Sequence, residues 1–470
     1  MKKLFSVIFA LGMVLSLCAC GGNSEIVEET KAPAGLQVGY ARESIMPEEP
    51  VNMSGSGNQE HRLSTGFLDI LYATCIAISE GDNTILLYST DTLTAKGWTN
   101  EIRALISEET GVPAENIQIA GTHTHAGPAV GGGEPQVLKW KPIYVNALLN
   151  SAKAALADRA PTKLYGAKVQ TEQMAFVRHY KMDDGTYAGS NFGDFSKTIV
   201  DHATVADEQM VLIKMEREGD KKDIAIMNFQ AHPCFTGAGT QLSSDFIGVA
   251  REVFEKETGM QFIYFPGSSG NQNTSSKIVS ENGSHNHDRV EYGTRLARYA
   301  IDALPEMKQI EGSGVKSKKE IVGYASNRYG VERVEDARKV AELFRQTGDT
   351  SVSNQMAKSL GFHSVYECNG IVRCAGLPES GKMELNACSF GGVGFVAASY
   401  EMFSESAIHI KENSPFAFTV ISTTTNGYNN YYPTKAAYEY GCYESFTATF
   451  AAGVAEDMAA KFVDMLKEVQ

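Results

Sequence analysis

The segment AGTHTHAGPA, Ala120 to Ala129, sets His123 and His125 two residues apart between threonines and closes on Gly127 and Pro128, in a chain with ten histidines among 470 residues. On an extended backbone residues two apart face the same side, so both imidazoles are expected to look into one site. Zinc in a catalytic site usually takes three protein ligands, often histidine plus a carboxylate, and leaves a position for water. His232 in FQAHP and Glu401 in AASYEMF lie at the ends of apolar runs and supply those residue types. A single histidine at a strand end is equally well a hydrogen-bonded structural residue. The paired histidines with their closing Gly-Pro are what point to a metal.

Such residues must be carried by strands that end together. NTILLYSTD (residues 83–91) reads as a buried strand, WTNEIRALISEETG as a helix with Thr99 as N-cap and Gly111 as its stop, and ENIQIAGTHTH as the next strand. A strand, helix and strand within so few residues imply a parallel pair. The unit recurs: IAIMNFQAHP is a strand, SSDFIGVAREVFEKETG a helix with Ile247, Ala250, Val253 and Phe254 on one side, and QFIYFPGSSGNQN a strand entering a glycine-rich turn. Ligands in open α/β sheets bind outside the carboxyl ends of the strands, where this reading puts Asp91, His123 with His125, His232, and Gly267 to Asn273. The expected fold is α/β, a mixed and largely parallel sheet flanked by helices, with a helical insertion at 308–370 and a C-terminal amphipathic helix. Asp245 behind Ser243 and Ser244 is expected to cap a helix or support His232, and Asp91 to orient a histidine.

The formal charge of −14 falls to −16 without Lys2 and Lys3, which argues against nucleic acid as a partner. MKKLFSVIFALGMVLSLCAC has the basic start, apolar run and small residue before cysteine of a secretory leader, and LCAC resembles a bacterial lipobox with Cys20 as the lipid-carrying residue. The expected organisation is a leader at 1–19, a flexible tether at 20–36 and one catalytic domain at 37–470. The protein is then exported and lipid-anchored on the outer side of the bacterial cell membrane. Cys368, Cys374, Cys388 and Cys442 are open to disulfide pairing in that compartment.

GTHTHAGP resembles the signature of the neutral or alkaline, non-lysosomal ceramidase family, whose members cleave the amide of N-acylsphingosines using zinc. The resemblance extends through VGYARESIMP, DILYATCIAI, STDTL, FVRHYKMDDGT, NFQAHPCFTG with SSDFIG, FPGSSGNQN, SYEMF and NGYNNYYPT, in order. Carried over residue by residue, it implies zinc on His123, His232, Glu401 and Tyr431, with His125 as a proton carrier or substrate donor beside the metal. It directs Arg178 of FVRHY at the carbonyl region of a small-molecule or lipid N-acyl substrate. The long members also carry a C-terminal immunoglobulin-like domain, and the chain is expected to lack one.

One turn departs from the family. Sphingolipid-cleaving members carry a serine nucleophile in a turn of the type GDVSPN, and here Gly270, Asn271, Gln272, Asn273, Thr274 and Ser275 stand there. An amide cannot act as that nucleophile. The implied activity is therefore a zinc-dependent hydrolase of an amide or related acyl bond, possible ceramide included, that uses activated water, with Asn273 hydrogen-bonding substrate or water. The alternative is a non-catalytic binding lipoprotein that keeps the metal scaffold.

Overall fold

The computed structural model describes residues 35–56, 62–278 and 288–470. The expected leader, and the tether apart from its last two residues, fall outside them. Among the described residues no helix is long and apolar enough to cross a membrane.

Alternation along the strands sorts the side chains into layers. In the strand Tyr72–Glu80, Ala73, Cys75 and Ala77 pack with the helices Thr99–Thr110 and Pro135–Ala157, whereas Ile76 and Ile78 face the opposite way. In Ile224–Phe229, Ala225, Met227 and Phe229 pack with Asp245–Thr258 and Arg289–Ala303, while Ile224 and Ile226 face inward. The inward set meets Cys388, Phe390, Val393, Phe395 and Val420 of a second, four-stranded sheet. The far side of that sheet, including Leu385, Val396 and Ile421, is covered by the helices Ser404–Asn413 and Val454–Glu468. The result is four layers: helices, large sheet, small sheet, helices.

The large sheet runs in the order 261–266, 224–229, 209–217, 160–170, 37–44, 72–80, 83–90, 117–121, with 308–309 paired beside 160–170. Both expected βαβ units are present, and 83–90 with 117–121 and 224–229 with 261–266 are parallel pairs. Parallel pairing stops there. The inner pairs are antiparallel, so the sheet is mixed but not largely parallel. Short returns such as Gly81–Asp82 leave no room for the crossover that a parallel pair requires. The stretch 308–370 also needs correction: it opens on strand, including Val315–Ala325, and its helices are Val334–Thr347, Thr350–Ser359 and Val365–Ala375.

A third βαβ unit was not read from the sequence. Val393–Ala397 and Phe418–Ser422 pair in parallel in the small sheet, with the helix Ser404–Asn413 between them. The segment after this unit joins the two edges of the large sheet. Thr423 N donates to Pro266 O at 2.9 Å, Asn426 N donates to Ile119 O at 2.8 Å, and Ile119 N donates to Asn426 Oδ1 at 2.9 Å. Strands at opposite ends of the strand order thereby meet through one short clasp.

The sheets are tied by Asn228. Its Nδ2 donates to Phe265 O at 2.9 Å and Ile421 O at 2.8 Å, and its Oδ1 accepts from Ile421 N at 3.0 Å. All these groups are buried, so truncation leaves backbone polar groups without partners. Asn228→Ala should cost about 3 kcal/mol, read as a lower denaturant midpoint at unchanged slope.

Candidate metal centre

Each of the three βαβ units delivers one donor side chain and the group that aims it. His123 follows strand 117–121, and its Nδ1 is 2.9 Å from Leu93 O, just past the paired strand 83–90. His232 follows strand 224–229, and its Nδ1 is 2.9 Å from Ser269 O, just past strand 261–266. Glu401 follows strand 393–397, and its Oε1 accepts from Tyr428 Oη at 2.7 Å, where Tyr428 lies past strand 418–422. A carbonyl can only accept, so both Nδ1 atoms carry hydrogen and both Nε2 atoms present lone pairs.

Those lone pairs point at one another. His123 Nε2 is 3.1 Å from His232 Nε2, which is 3.0 Å from His125 Nε2. Glu401 Oε2 lies 3.3 Å from His123 Nε2 and 3.8 Å from His232 Nε2, buried and accepting no hydrogen bond. Acceptor facing acceptor in a buried site is repulsive unless a cation lies between them. Burial, then the neighbouring His123 and Arg178, holds His125 and His232 well below the usual imidazole range, so both are neutral near pH 7. Neutral imidazoles with a carboxylate suit a divalent metal such as zinc, and the residues present fit one.

His125 reaches this point for a reason other than strand alternation. The strand ends at Gly121, and His123 takes a left-handed backbone conformation with φ 69°. The pair therefore lies on a turn, with ring centroids 5.2 Å apart. Arg62 pins that turn, donating from Nη1 to His125 O at 2.7 Å and Ser54 O at 2.8 Å and from Nη2 to Gly239 O at 2.7 Å. The Nδ1 of His125, with the Gly55 backbone alongside, makes no hydrogen bond of normal geometry. Its tautomer is thus not locked as those of His123 and His232 are.

Tyr431 stands opposite Glu401 in a short parallel pairing, and both line a cavity of about 170 Å³ with His123 and His125. Two larger hollows, about 830 and 690 Å³, lie elsewhere and include none of the clustered histidines. Burial, then the charge of Glu401, pushes the Tyr431 phenol well above its ordinary range. The turn carrying Asn273 packs against this wall: Gly270 N donates to Met402 O at 2.9 Å, and a Cβ at Gly270 would sit 2.7 Å from Glu401 O. Asn273 is bridged to His232 through the backbone, and its buried Oδ1 has no hydrogen-bond partner. Asn271 is committed, its Oδ1 accepting from Ser404 N at 2.9 Å and its Nδ2 donating to Glu405 Oε2 at 3.2 Å. An ionised acid at 271 would set two carboxylates face to face, which accounts for the amide there.

Arg178 is buried and does not extend a free guanidinium. Its Nε donates to Glu444 Oε1 at 2.7 Å and its Nη2 to Gly270 O at 2.9 Å, with the guanidinium carbon 5.6 Å from the Tyr431 ring centre. The other oxygen of Glu444 meets His179 Nε2 at 2.7 Å. Of the two acidic expectations only that for Asp91 is corrected, since Asp245 starts the helix 245–258 and its Oδ1 accepts from Phe246 N at 2.8 Å. Asp91 orients no histidine: its Oδ2 takes Arg251 Nη2 and Tyr72 N, each at 2.9 Å. Asp245 holds the loop after His232, accepting at Oδ2 from Thr236 N and Oγ1, each at 2.8 Å. The six cysteines among the described residues are free, so no pairing among Cys368, Cys374, Cys388 and Cys442 is present.

No protein-family model matches the chain, and no curated protein matches it by sequence. Its fold is that of neutral ceramidase. A crystal structure of neutral ceramidase from Pseudomonas aeruginosa superposes with a TM-score of 0.67 at 16% identity, over 93% of this chain and 74% of that one. A ceramidase complexed with C2 gives a TM-score of 0.67 at 16% identity, over 92% of this chain and 75% of that one.

Burial opposes ionisation of Glu444, but His179 and Arg178 outweigh it and hold the carboxyl at about 2. A depressed folded-state value stabilises the fold above the ordinary carboxylate range, and that contribution disappears as the pH falls towards about 2. Glu444→Gln should therefore destabilise the protein by about 3–5 kcal/mol at pH 7, since it strands a buried cation. The gap from wild type should narrow in denaturant unfolding at pH 3.

Proposed function

We propose that the protein is an exported, lipid-anchored zinc hydrolase that cleaves an amide or related acyl bond of an N-acyl substrate by water attack. The observation that carries this reading is the set of mutually facing imidazole nitrogens with the partnerless Glu401 Oε2 beside them. His123, His232 and Glu401 would hold the ion, with Tyr431 beside Glu401 completing the set. When bound, zinc polarises a carbonyl and lowers the pKa of a bound water towards about 7.

The chain's own residues have distinct parts. The carbonyls of Leu93 and Ser269 and the hydroxyl of Tyr428 keep three donor groups aimed. His125, whose tautomer is unlocked, carries a proton at Nε2. Arg178, committed to Glu444 and Gly270, positions Tyr431 and the 270–273 turn. The free Oδ1 of Asn273 accepts a hydrogen bond from substrate or water. The likeness of fold to neutral ceramidase supports the amide as the bond attacked.

Purified protein grown with zinc should retain about one zinc per chain, removed by chelator with the fold intact. His123→Ala and Glu401→Ala should abolish retention, and Tyr428→Phe should weaken it about 10-fold. His125→Ala should keep the metal yet lose turnover on a panel of N-acyl substrates; loss of metal there would make His125 a ligand. Folded wild type that binds no metal would end this reading. Turnover by Asn273→Ser alone would favour a binding lipoprotein.

A further inference from the structure

The wall of the 170 Å³ cavity opposite the histidines is a helix face. Tyr366, Asn369 and Arg373 project from Val365–Ala375 at spacings of three and four and line the same space as His123, His125 and Glu401. The approach depends on Gly370, where a Cβ would collide with the carbonyl of Phe446 in the neighbouring helix Tyr443–Thr447. Arg373 donates from Nη1 to Thr447 O at 3.2 Å, and among the described residues no carboxylate lies within ion-pair distance of it. Lys96, likewise without an acidic partner among the described residues, stands 6.0 Å from the ring centre of Tyr428 on the same lining. Glu401 is the only carboxylate among the lining residues. In a chain of net charge −14, an unneutralised arginine on a cavity wall is a local reversal of sign.

Size and lining restrict the ligand further. About 170 Å³ is below the roughly 300–1,000 Å³ that encloses a drug-sized molecule. Apart from Leu93, the side chains around it are tyrosines, asparagines, histidines, a threonine and charged groups. Resting on the N-acyl hydrolase reading above, we propose that this cavity selects a small N-acyl compound bearing a carboxylate, such as an N-acylated amino acid, and that Arg373 is the residue that selects it. Arginine matches a carboxylate with paired N–H donors, a geometry lysine reproduces only in part.

The test is equilibrium binding to the zinc-loaded full chain of N-acetylalanine and of N-acetylalaninamide, which differ in the carboxylate, alongside their hydrolysis. The acid should bind about 10-fold more tightly than the amide at low salt. Arg373→Gln should erase the difference and Arg373→Lys should restore part of it, with circular dichroism confirming the fold of each. Equal binding of the two compounds, or an acid preference that survives Arg373→Gln, overturns the proposal. Hydrolysis of the acid and the amide at equal rates, both unaffected by Arg373→Gln, would sink it while leaving the hydrolase reading intact. Arg373-dependent selection of the acid without turnover would do the reverse.

Discussion

Two backbone carbonyls decide what this molecule can do. By each accepting one N–H, Leu93 O and Ser269 O turn the imidazoles of His123 and His232 so that their remaining lone pairs meet across about 3 Å beside a carboxylate oxygen without a hydrogen-bond partner. Left alone that arrangement repels itself, and shielding by water is absent because the groups are buried. The fold tolerates the conflict because the two carbonyls belong to loops anchored by parallel strands, which cannot swing away without breaking the sheet. Rigidity in the large sheet is thus converted into electrostatic demand at its rim.

Much of this was written plainly in the chain. His123, His232 and Glu401 each follow an apolar run, and the helices of the first two units end at Gly111 and Gly259 in left-handed conformations, as the glycines suggest. What escaped is what local pattern does not encode. The helix of the third unit, SESAIHIKEN, is short and only weakly one-sided, so no third strand–helix–strand unit is evident from the pattern. A carbonyl acceptor has no side-chain signature at all, which hid Leu93 and Ser269. Asp91 finds Arg251 across 160 residues, a pairing no window of sequence contains. The H-x-H spacing pointed to the right neighbourhood through the wrong geometry, since the left-handed turn at His123 and not strand alternation brings His125 into it.

Charge is arranged in shells around the centre. Nearest the donors, Arg178 is neutralised by Glu444, which is in turn shared with His179, so a buried cation is held without being spent on solvent or substrate. Further out, Arg373 and Lys96 carry charge that nothing acidic among the described residues cancels. The exterior as a whole is strongly acidic by composition. Such a layout leaves Arg373 as a positive charge on the cavity wall of an acidic chain, which favours an anionic ligand there.

The clasp formed by Thr423–Asn426 has a bearing on how the molecule comes into being. It is made late in the chain yet closes a gap between strands laid down at residues 117–121 and 261–266. Nascent polypeptide emerging from a ribosome could already join both histidine-bearing halves, through Asp91 with Arg251 and His125 N with Pro233 O, but would lack this clasp until nearly nine-tenths of synthesis was complete. Long-range closure of this kind slows folding, because loop entropy is lost before the contacts that compensate it exist. A partially made chain therefore lacks Glu401 beside the two imidazoles, and the cluster is completed only late in synthesis.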